Sequence, residues 1–267
     1  MSTVIVVEPD LAEVEKLFDR DDDIAAIILE PTGGHWGQFP LPNPGFLHEL
    51  RALATRSGVV MIMDEVICGF RMSKGGAQQR FDVKPDLTTM AKIVAGGLPG
   101  GAVGGKAEIM GLLGSSDPSM RLAHPGTFNA NPVSATAGIA MLETIQSEPV
   151  IEKADAAATR LKAGLRDALT KMEVTGHVHG IASIVHVALG VECTCPGDIC
   201  TQPHSALAEA TSAPRSEMLK LAMLNEGVDM MGGIGFLTSA AHRDKDIDRT
   251  IEAFEKSVSA LREERFI

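Results

Sequence analysis

The clearest shortages in this sequence are of tyrosine, of basic residues and of long apolar runs. None of the 267 residues is tyrosine and aromatic residues make up only 4%, so a site that needs a tyrosine cannot take it from this chain. Acidic residues outnumber basic ones and give a net charge of −11. This charge argues against a nucleic-acid partner, because phosphate binding requires a clustered basic surface. No run of eighteen apolar residues occurs, which excludes a transmembrane helix and a membrane partner.

The beginning of the chain also lacks the marks of a secretion signal. Met1 is followed by a strand-like run, without a basic region or a small-residue cleavage site. We therefore expect a cytoplasmic protein. Hydrophobic residues make up 45% of the chain, which at this length is enough for a sizeable core and exceeds the usual size of one domain.

Apolar periodicity predicts helices that alternate with strands. The predicted helices cover residues 11–18, 44–57, 131–147, 149–172, 214–226 and a last segment that begins at 244. The predicted strands cover residues 24–29, 59–63, 87–89, 102–104, 184–191 and 228–231. Such alternation favours an α/β fold with a mainly parallel sheet, in which ligands bind at the carboxyl ends of the strands. We place a domain boundary near Pro149, which divides the chain into residues 1–149 and 150–267.

Two charged residues, Asp64 and Lys92, each follow an apolar, strand-like run. Asp64 ends the run that begins at Val59, and Lys92 follows residues 85–91. Since neighbouring parallel strands end at the same edge of a sheet, we expect both side chains at that edge. The pair suits pyridoxal phosphate chemistry, in which the lysine forms a Schiff base and the aspartate keeps the pyridine nitrogen protonated. Taken singly, each residue is better explained as a solvated charge at a strand end.

The sequence segments around this pair resemble the class III (subgroup II) aminotransferases, and most closely their glutamate-1-semialdehyde 2,1-aminomutase branch. The matching segments agree in order and spacing and extend over essentially the whole chain. They are AIILEP at 26–31, DEVICGFR at 64–71, PDLTTMAK at 85–92, GGLPGGAVGG at 96–105, HPGTFNANP at 124–132 and GFLTSAAH at 235–242.

The resemblance implies a fold-type I pyridoxal-phosphate transferase that moves amino groups between small amine and carbonyl substrates. Residues 1–149 would be part of the large cofactor-binding domain, and residues 150–267 a small C-terminal α/β domain. Pyridoxal 5'-phosphate is the implied cofactor, and no metal is expected.

Four residues take cofactor-binding roles from the resemblance. Lys92 is the implied catalytic residue, and Asp64 the partner of the ring nitrogen. Val66 is expected to pack under the ring, on the same side of an extended chain as Asp64. Thr127 is expected to bind the cofactor phosphate of an opposing subunit, whereas a threonine in an isolated turn of this kind would only satisfy the turn itself.

In the family a long N-terminal part precedes the first strand of this sequence. It carries a Gly-Ser/Thr-rich turn for the phosphate and an aromatic residue that stacks on the ring, and no such turn occurs before Asp64. We therefore expect the chain to act as a homodimer or together with a complementing N-terminal half. The C-terminal part normally packs against the N-terminal one, so we also expect it to leave a sheet face open.

The substrate and the reaction subtype stay open. The aminomutase branch usually carries an acidic residue where this chain has glycine and isoleucine, at 232–236, and this difference argues against aminomutase activity. Glu30 and Arg71 are interpreted as structural ion-pair residues.

Two other functions are possible for this sequence. Cys193, Cys195, Cys200 and His204 lie within twelve positions and could form a Cys₃His zinc site. The C-x-C-x₄-C spacing is unusual for zinc, and a loop of free thiols in a reducing compartment explains it as well. Alternatively, the chain is an inactive partial homologue or a scaffold subunit.

Overall fold

The computed structural model describes residues 4–193, 195 and 199–267. The chain forms two compact units. The first contains the residues up to Pro31 together with Leu41–Ser147, and the second contains Thr32–Pro40 and Glu148–Ile267. The assignment of residues 1–149 and 150–267 to two family domains stays a prediction.

The strands, labelled β1 to β8 in chain order, are Ala26–Leu29, Phe39–Pro40, Val60–Asp64, Leu87–Ala91, Gly101–Gly105, Gly176–His179, Ile184–Leu189 and Gly235–Leu237. The α-helices are Leu11–Arg20, Phe46–Arg56, Gly76–Phe81, Ala107–Met110, Pro132–Ser147, Val150–Lys171, His204–Ala210, Arg215–Asn225 and Asp244–Glu263. Short 3₁₀ turns occur at Lys92–Ala95 and Gly111–Gly114, and the segment Gly34–Gly37 is a turn in which His35 and Trp36 have positive φ.

The first unit is built on a four-stranded sheet in the order β1-β3-β4-β5. β1, β3 and β4 pair in parallel, and β5 is antiparallel to β4. The predicted mainly parallel sheet is therefore confirmed. Its carboxyl edge brings the ends of β3 and β4 together, since Asp64 pairs in register with Thr89.

One face of this sheet packs against two helices. Helix Leu11–Arg20 begins at Asp10, whose carboxylate accepts a hydrogen bond from the Ala12 N–H at 2.8 Å. Helix Phe46–Arg56 buries the apolar side that its periodicity predicts, over Met61 and Met63 of β3, which are fully buried. The buried residues of this helix are Phe46, Leu47, Leu50, Leu53 and Ala54.

Apolar side chains elsewhere in this unit are open to solvent. Ile28 of β1 is 60% exposed and Val103 of β5 is 48% exposed. The expected open sheet face was assigned to the C-terminal part, and that assignment is wrong: every residue of β7 there is buried. The open apolar positions belong to the sheet that carries Asp64.

The second unit contains the antiparallel sheet β6-β7-β8. Helices Val150–Lys171 and Asp244–Glu263 contribute to its largest apolar core, in which Leu165, Phe254 and Val258 are fully buried. The strand predicted at 228–231 is not formed. Gly232 and Gly233 turn the chain there with positive φ, and only Met231 makes a bridge, to Gly235.

The segment Thr32–Pro40 joins the second unit, which the sequence did not predict. Its backbone is held by two buried histidines of the second sheet. The Nε2–H of His179 donates to the Gln38 carbonyl and that of His186 to the Trp36 carbonyl, both at 3.1 Å. The Trp36 ring also packs on His186, with ring centroids 4.6 Å apart.

Among the helices of residues 4–193 and 199–267, none combines the length and the apolar character needed to cross a bilayer.

The buried histidines predict that acid destabilises the protein. Burial, and for His179 also the neighbouring rings, lowers the pKa from 6.5 to about 3 for His179 and about 4 for His186. As the pH falls below 6.5, the unfolded chain binds protons that the folded chain does not, so stability present above that pH is lost towards pH 4. We expect a loss on the order of 2 kcal/mol per ring at pH 5 in the free energy of unfolding, measured by denaturant titration.

His179→Gln provides the control, because its amide can still donate to Gln38 but does not titrate. Its unfolding free energy should depend less on pH than that of the wild type between pH 7 and 5. Equal pH dependence in the two proteins would contradict the assignment.

Candidate active site

The side chain of Asp64 is fixed at the carboxyl edge of the first sheet. Its Oδ1 accepts hydrogen bonds from the Val66 N–H at 3.0 Å and from the Thr89 hydroxyl at 3.1 Å. Both donors use the same oxygen, so Oδ2 has no donor among the described residues. A half-buried carboxylate oriented in this way can accept a further hydrogen bond from a ligand.

Lys92 is the first residue after β4 and lies three positions beyond Thr89, the register partner of Asp64. Its backbone has a φ of 54°, in the left-handed region that a lysine rarely adopts. The 3₁₀ turn that it opens ends at Gly96, also with positive φ, where a Cβ would overlap the Ala137 carbonyl. Unusual backbone of this kind concentrates at functional sites, because the surrounding structure must hold it.

Glu65 is the neighbour of Asp64 but has a different role. It is 2% exposed, and its carboxylate accepts from the Ala77 N–H at 2.6 Å and from the Gln78 side-chain amide at 3.0 Å. It thereby satisfies the start of helix Gly76–Phe81. Gly76 must be a glycine, because it has a φ of 71° and a Cβ there would overlap the Glu65 carboxylate.

Asp86 is a second structural carboxylate, at the opposite end of the strands. It forms ion pairs with Arg51 at 2.6 Å and Lys106 at 2.7 Å and accepts from the Met61 N–H. Burial by itself would raise the pKa of Asp86, but these three donors outweigh it and hold the pKa at about 2. The pairing fixes the amino end of β4 against β3 and β5.

The turn after Asp64 contains Val66, and Glu30 and Arg71 contact residues that follow it. Val66 lies in this turn and not on an extended chain, so the predicted alternation with Asp64 is wrong, although its N–H contacts the Asp64 carboxylate. Glu30 accepts a hydrogen bond from the Cys68 thiol, whose pKa burial raises above the ordinary range. The Nε of Arg71 donates to the Ile67 carbonyl.

Thr127 lies apart from the pair in the contacts that can be described. It is exposed, and so is every other residue from Asp117 to Ala130. No contact of the described residues joins Thr127 to Asp64 or Lys92. Its phosphate-binding role stays a prediction.

The sequence did not reveal that Thr89 and Glu65 support the site. The role of Thr89 depends on its pairing with Asp64. Residue types alone do not fix the register of two strands, so the sequence could not show this pairing. For Glu65 the signal is the glycine pair at 75–76 that opens the helix it caps.

Comparison with known proteins shows the family of the chain. The family described as "Aminotransferase class-III" matches residues 7–257. A curated relative, glutamate-1-semialdehyde 2,1-aminomutase from Ignicoccus hospitalis, is 39% identical over 265 residues, which cover 97% of this chain and 59% of the relative. The chain belongs to the class III aminotransferases.

Two solved structures have a fold similar to that of this chain. An ω-transaminase from Sphaerobacter thermophilus matches with a TM-score of 0.79 and 30% identity, over 97% of this chain and 57% of that one. A glutamate-1-semialdehyde-aminomutase from Pseudomonas aeruginosa PAO1 matches with a TM-score of 0.81 and 25% identity, over 96% of this chain and 56% of that one. The chain thus spans 56–59% of the length of these three proteins.

Class III aminotransferases are enzymes that depend on pyridoxal 5'-phosphate and act on small amine and carbonyl substrates. The fold-type I architecture expected from the sequence is therefore confirmed, as is the cofactor of the family. The cofactor-binding roles of Asp64, Val66 and Lys92 stay predictions.

The metal-site hypothesis for residues 193–204 named the wrong histidine. Residues 194 and 196–198 lie outside the described residues, but His204 is described, and its Nε2–H donates to the Pro40 carbonyl at 2.8 Å. The imidazole that joins Cys193, Cys195 and Cys200 is that of His177.

The different roles of Asp64 and Glu65 can be tested by stability. Glu65→Ala leaves the start of a buried helix without its acceptor and should lower the free energy of unfolding by about 2 kcal/mol. Asp64→Asn keeps an acceptor oxygen for Val66 and Thr89 and should cost less than about 1 kcal/mol. Denaturant titration of both variants beside the wild type measures the difference. An equal loss in the two variants would contradict the division of roles.

Proposed function

We propose that the carboxyl edge of the first sheet binds pyridoxal 5'-phosphate through Asp64 and Lys92 and serves amino-group transfer between small amine and carbonyl substrates. The observation that carries the proposal is the orientation of Asp64, with Oδ1 held by two donors and Oδ2 left for a ligand. Membership of class III supplies the cofactor. The chain spans less than two thirds of the length of these relatives. We therefore propose, for the whole protein, the amino-transfer activity of the family.

The chemistry of Asp64 fits the pyridine nitrogen of this cofactor. A carboxylate beside a titratable nitrogen favours the protonated form of that nitrogen, so Oδ2 would accept its N–H and hold the positive charge. The hydrogen bonds from Val66 and Thr89 fix the direction of the carboxylate before the ligand arrives, which reduces the cost of ordering it. When bound, the cofactor supplies a cationic ring that takes up the electrons released at the substrate carbon.

Lys92 would act twice at the end of the neighbouring strand. Its Nζ is the group that would hold the cofactor covalently, at the aldehyde. Its amine would also be the base that takes the proton from the substrate α-carbon. The register of β3 with β4 supports both roles, because it brings Lys92 to the edge where Asp64 lies.

Val66 and Thr127 complete the proposed cofactor contacts. Val66 would pack its apolar side chain against the ring face next to Asp64, and Thr127 would bind the phosphate of the cofactor in an opposing subunit. The exposure of Thr127 supports a role towards a second chain. A homodimer would supply Thr127 of the opposing subunit, and a complementing N-terminal chain would supply the remaining phosphate donors and an aromatic residue for stacking, since this chain has no tyrosine.

Within amino-group transfer, the reaction of the aminomutase branch is the more specific candidate. The 39% identity to an aminomutase favours it. The segment 232–236 contains no acidic residue, which favours a transaminase instead. Assays with glutamate-1-semialdehyde alone and with an amine and a separate keto acid distinguish the two.

The proposal predicts covalent trapping of the cofactor on Lys92. The full chain is mixed with pyridoxal 5'-phosphate, reduced with borohydride and digested, and the labelled peptides are identified by mass. We expect the label on Lys92 in the wild type and its loss in Lys92→Ala, whereas Lys84→Ala, at an exposed lysine before β4, should be labelled like the wild type.

The same labelling is repeated with a fusion that adds the N-terminal part of a class III relative. If the fusion also shows no label on Lys92, or equal labelling in Lys92→Ala, the proposal is wrong and the scaffold alternative is favoured. In the active fusion, Lys92→Ala should reduce amino transfer by at least about 10²-fold, because it removes the proton-transfer base.

A further inference from the structure

A cluster of metal-ligating side chains lies in the second unit and is not used by amino-group transfer. The Sγ atoms of Cys193, Cys195 and Cys200 and a ring nitrogen of His177 all lie within 4.8 Å of one another. Three sulfurs and one imidazole are a donor set typical of structural zinc sites. We propose that these four residues bind one Zn²⁺ ion, which fastens the loop after β7 to the edge of β6.

The fold brings together residues that are distant in sequence. His177 lies on β6 and pairs in register with Ala188 of β7, and the chain leaves β7 shortly before Cys193. The loop then returns to Cys200, which is buried in a small apolar cluster with Ala188 and Val191. Cys200 and His177 are therefore held by packing independently of any ion.

The separation of the Cys193 and Cys200 sulfurs fits a tetrahedral ion. The sulfurs of Cys200 and Cys193 are 3.7 Å apart. With Zn–S bonds of about 2.3 Å, two sulfurs at neighbouring corners of a tetrahedron lie about 3.8 Å apart. These two sulfurs thus already have about the separation that a shared zinc ion requires.

His177 supplies a second, independent observation. The residue is 6% exposed, and its Nε2 is buried without a hydrogen-bond partner among the described residues. A buried imidazole nitrogen normally has a partner, and leaving one without any is unfavourable. A metal ion bound to this ring would remove that deficit.

Backbone donors already surround the sulfurs. The Thr201 N–H donates to the Cys195 sulfur at 3.2 Å, and the Thr201 hydroxyl lies 2.9 Å from it. The Gln202 N–H donates to Cys200. Hydrogen bonds of this kind orient metal-bound thiolates and offset their charge. Three thiolates and Zn²⁺ carry one net negative charge, which the neighbouring Arg166 guanidinium also offsets.

In the structure, Cys193 and Cys195 are joined in a disulfide, so zinc binding belongs to the reduced protein. A two-electron reductant of the thiol or phosphine class converts the disulfide into two thiols. Zinc binding then forms three Zn–S bonds and one Zn–N bond and releases three protons to water, with no change in the oxidation state of the metal. Thiols stay reduced in a compartment such as the cytoplasm.

The test is the metal content of the full chain, purified with a phosphine reductant, incubated with Zn²⁺ and freed of loose metal by gel filtration. We expect about one zinc ion per chain by elemental analysis. His177→Gln and Cys200→Ser should each lower the content at least about tenfold. The matched controls His204→Gln and Cys68→Ser, a second histidine and a buried cysteine outside the cluster, should keep it.

The wild type is also titrated with Co²⁺, so that the test does not depend on variants that fail to fold. Tetrahedral thiolate coordination should give intense visible absorption and a sulfur-to-cobalt band in the near ultraviolet, both removed by added Zn²⁺. Reduced wild type that holds no zinc and shows no such bands would overturn the proposal. So would zinc content that is unchanged in both ligand variants.

Discussion

The parallel pairing of β3 with β4 is the constraint on which the candidate active site depends. It sets Asp64 opposite Thr89, so that the hydroxyl of one strand fixes the carboxylate of the other. The same register determines where Lys92 emerges. A slip of one residue would turn the Asp64 side chain to the other face of the sheet and remove its hydrogen bond to Thr89.

Buried carboxylates that do not take part in the chemistry hold this register. Asp86 joins β4 to the start of β3 and to Lys106 beyond β5, while Glu65 anchors the helix that follows the turn after Asp64. The adjacent residues Asp64 and Glu65 thus have different surroundings. Protein donors satisfy the carboxylate of Glu65, whereas Asp64 keeps one oxygen for a ligand. This difference is what makes the edge a candidate site and not only a strand end.

The sequence predicted the parallel sheet, the family and the position of Asp64 and Lys92, because strand-like runs and their ends are local features. It did not predict contacts that depend on distant pairing. His177 is sixteen positions before Cys193 and joins the cysteines only because β6 pairs with β7, so His204 was chosen wrongly from proximity in sequence. Likewise, Thr32–Pro40 belongs to the second unit through hydrogen bonds to His179 and His186, which no local pattern indicates. The strand predicted at 228–231 does not form, because Gly232 and Gly233 turn the chain directly after it.

The central claim is that Asp64 holds the cofactor ring in its protonated form, and ¹⁵N NMR of bound pyridoxal 5'-phosphate labelled at the ring nitrogen tests it most directly. In the wild type, completed by an N-terminal segment if required, the account predicts the chemical shift of a protonated pyridine nitrogen. In Asp64→Ala it predicts the shift of an unprotonated one at the same pH. An identical shift in the two proteins would contradict the account.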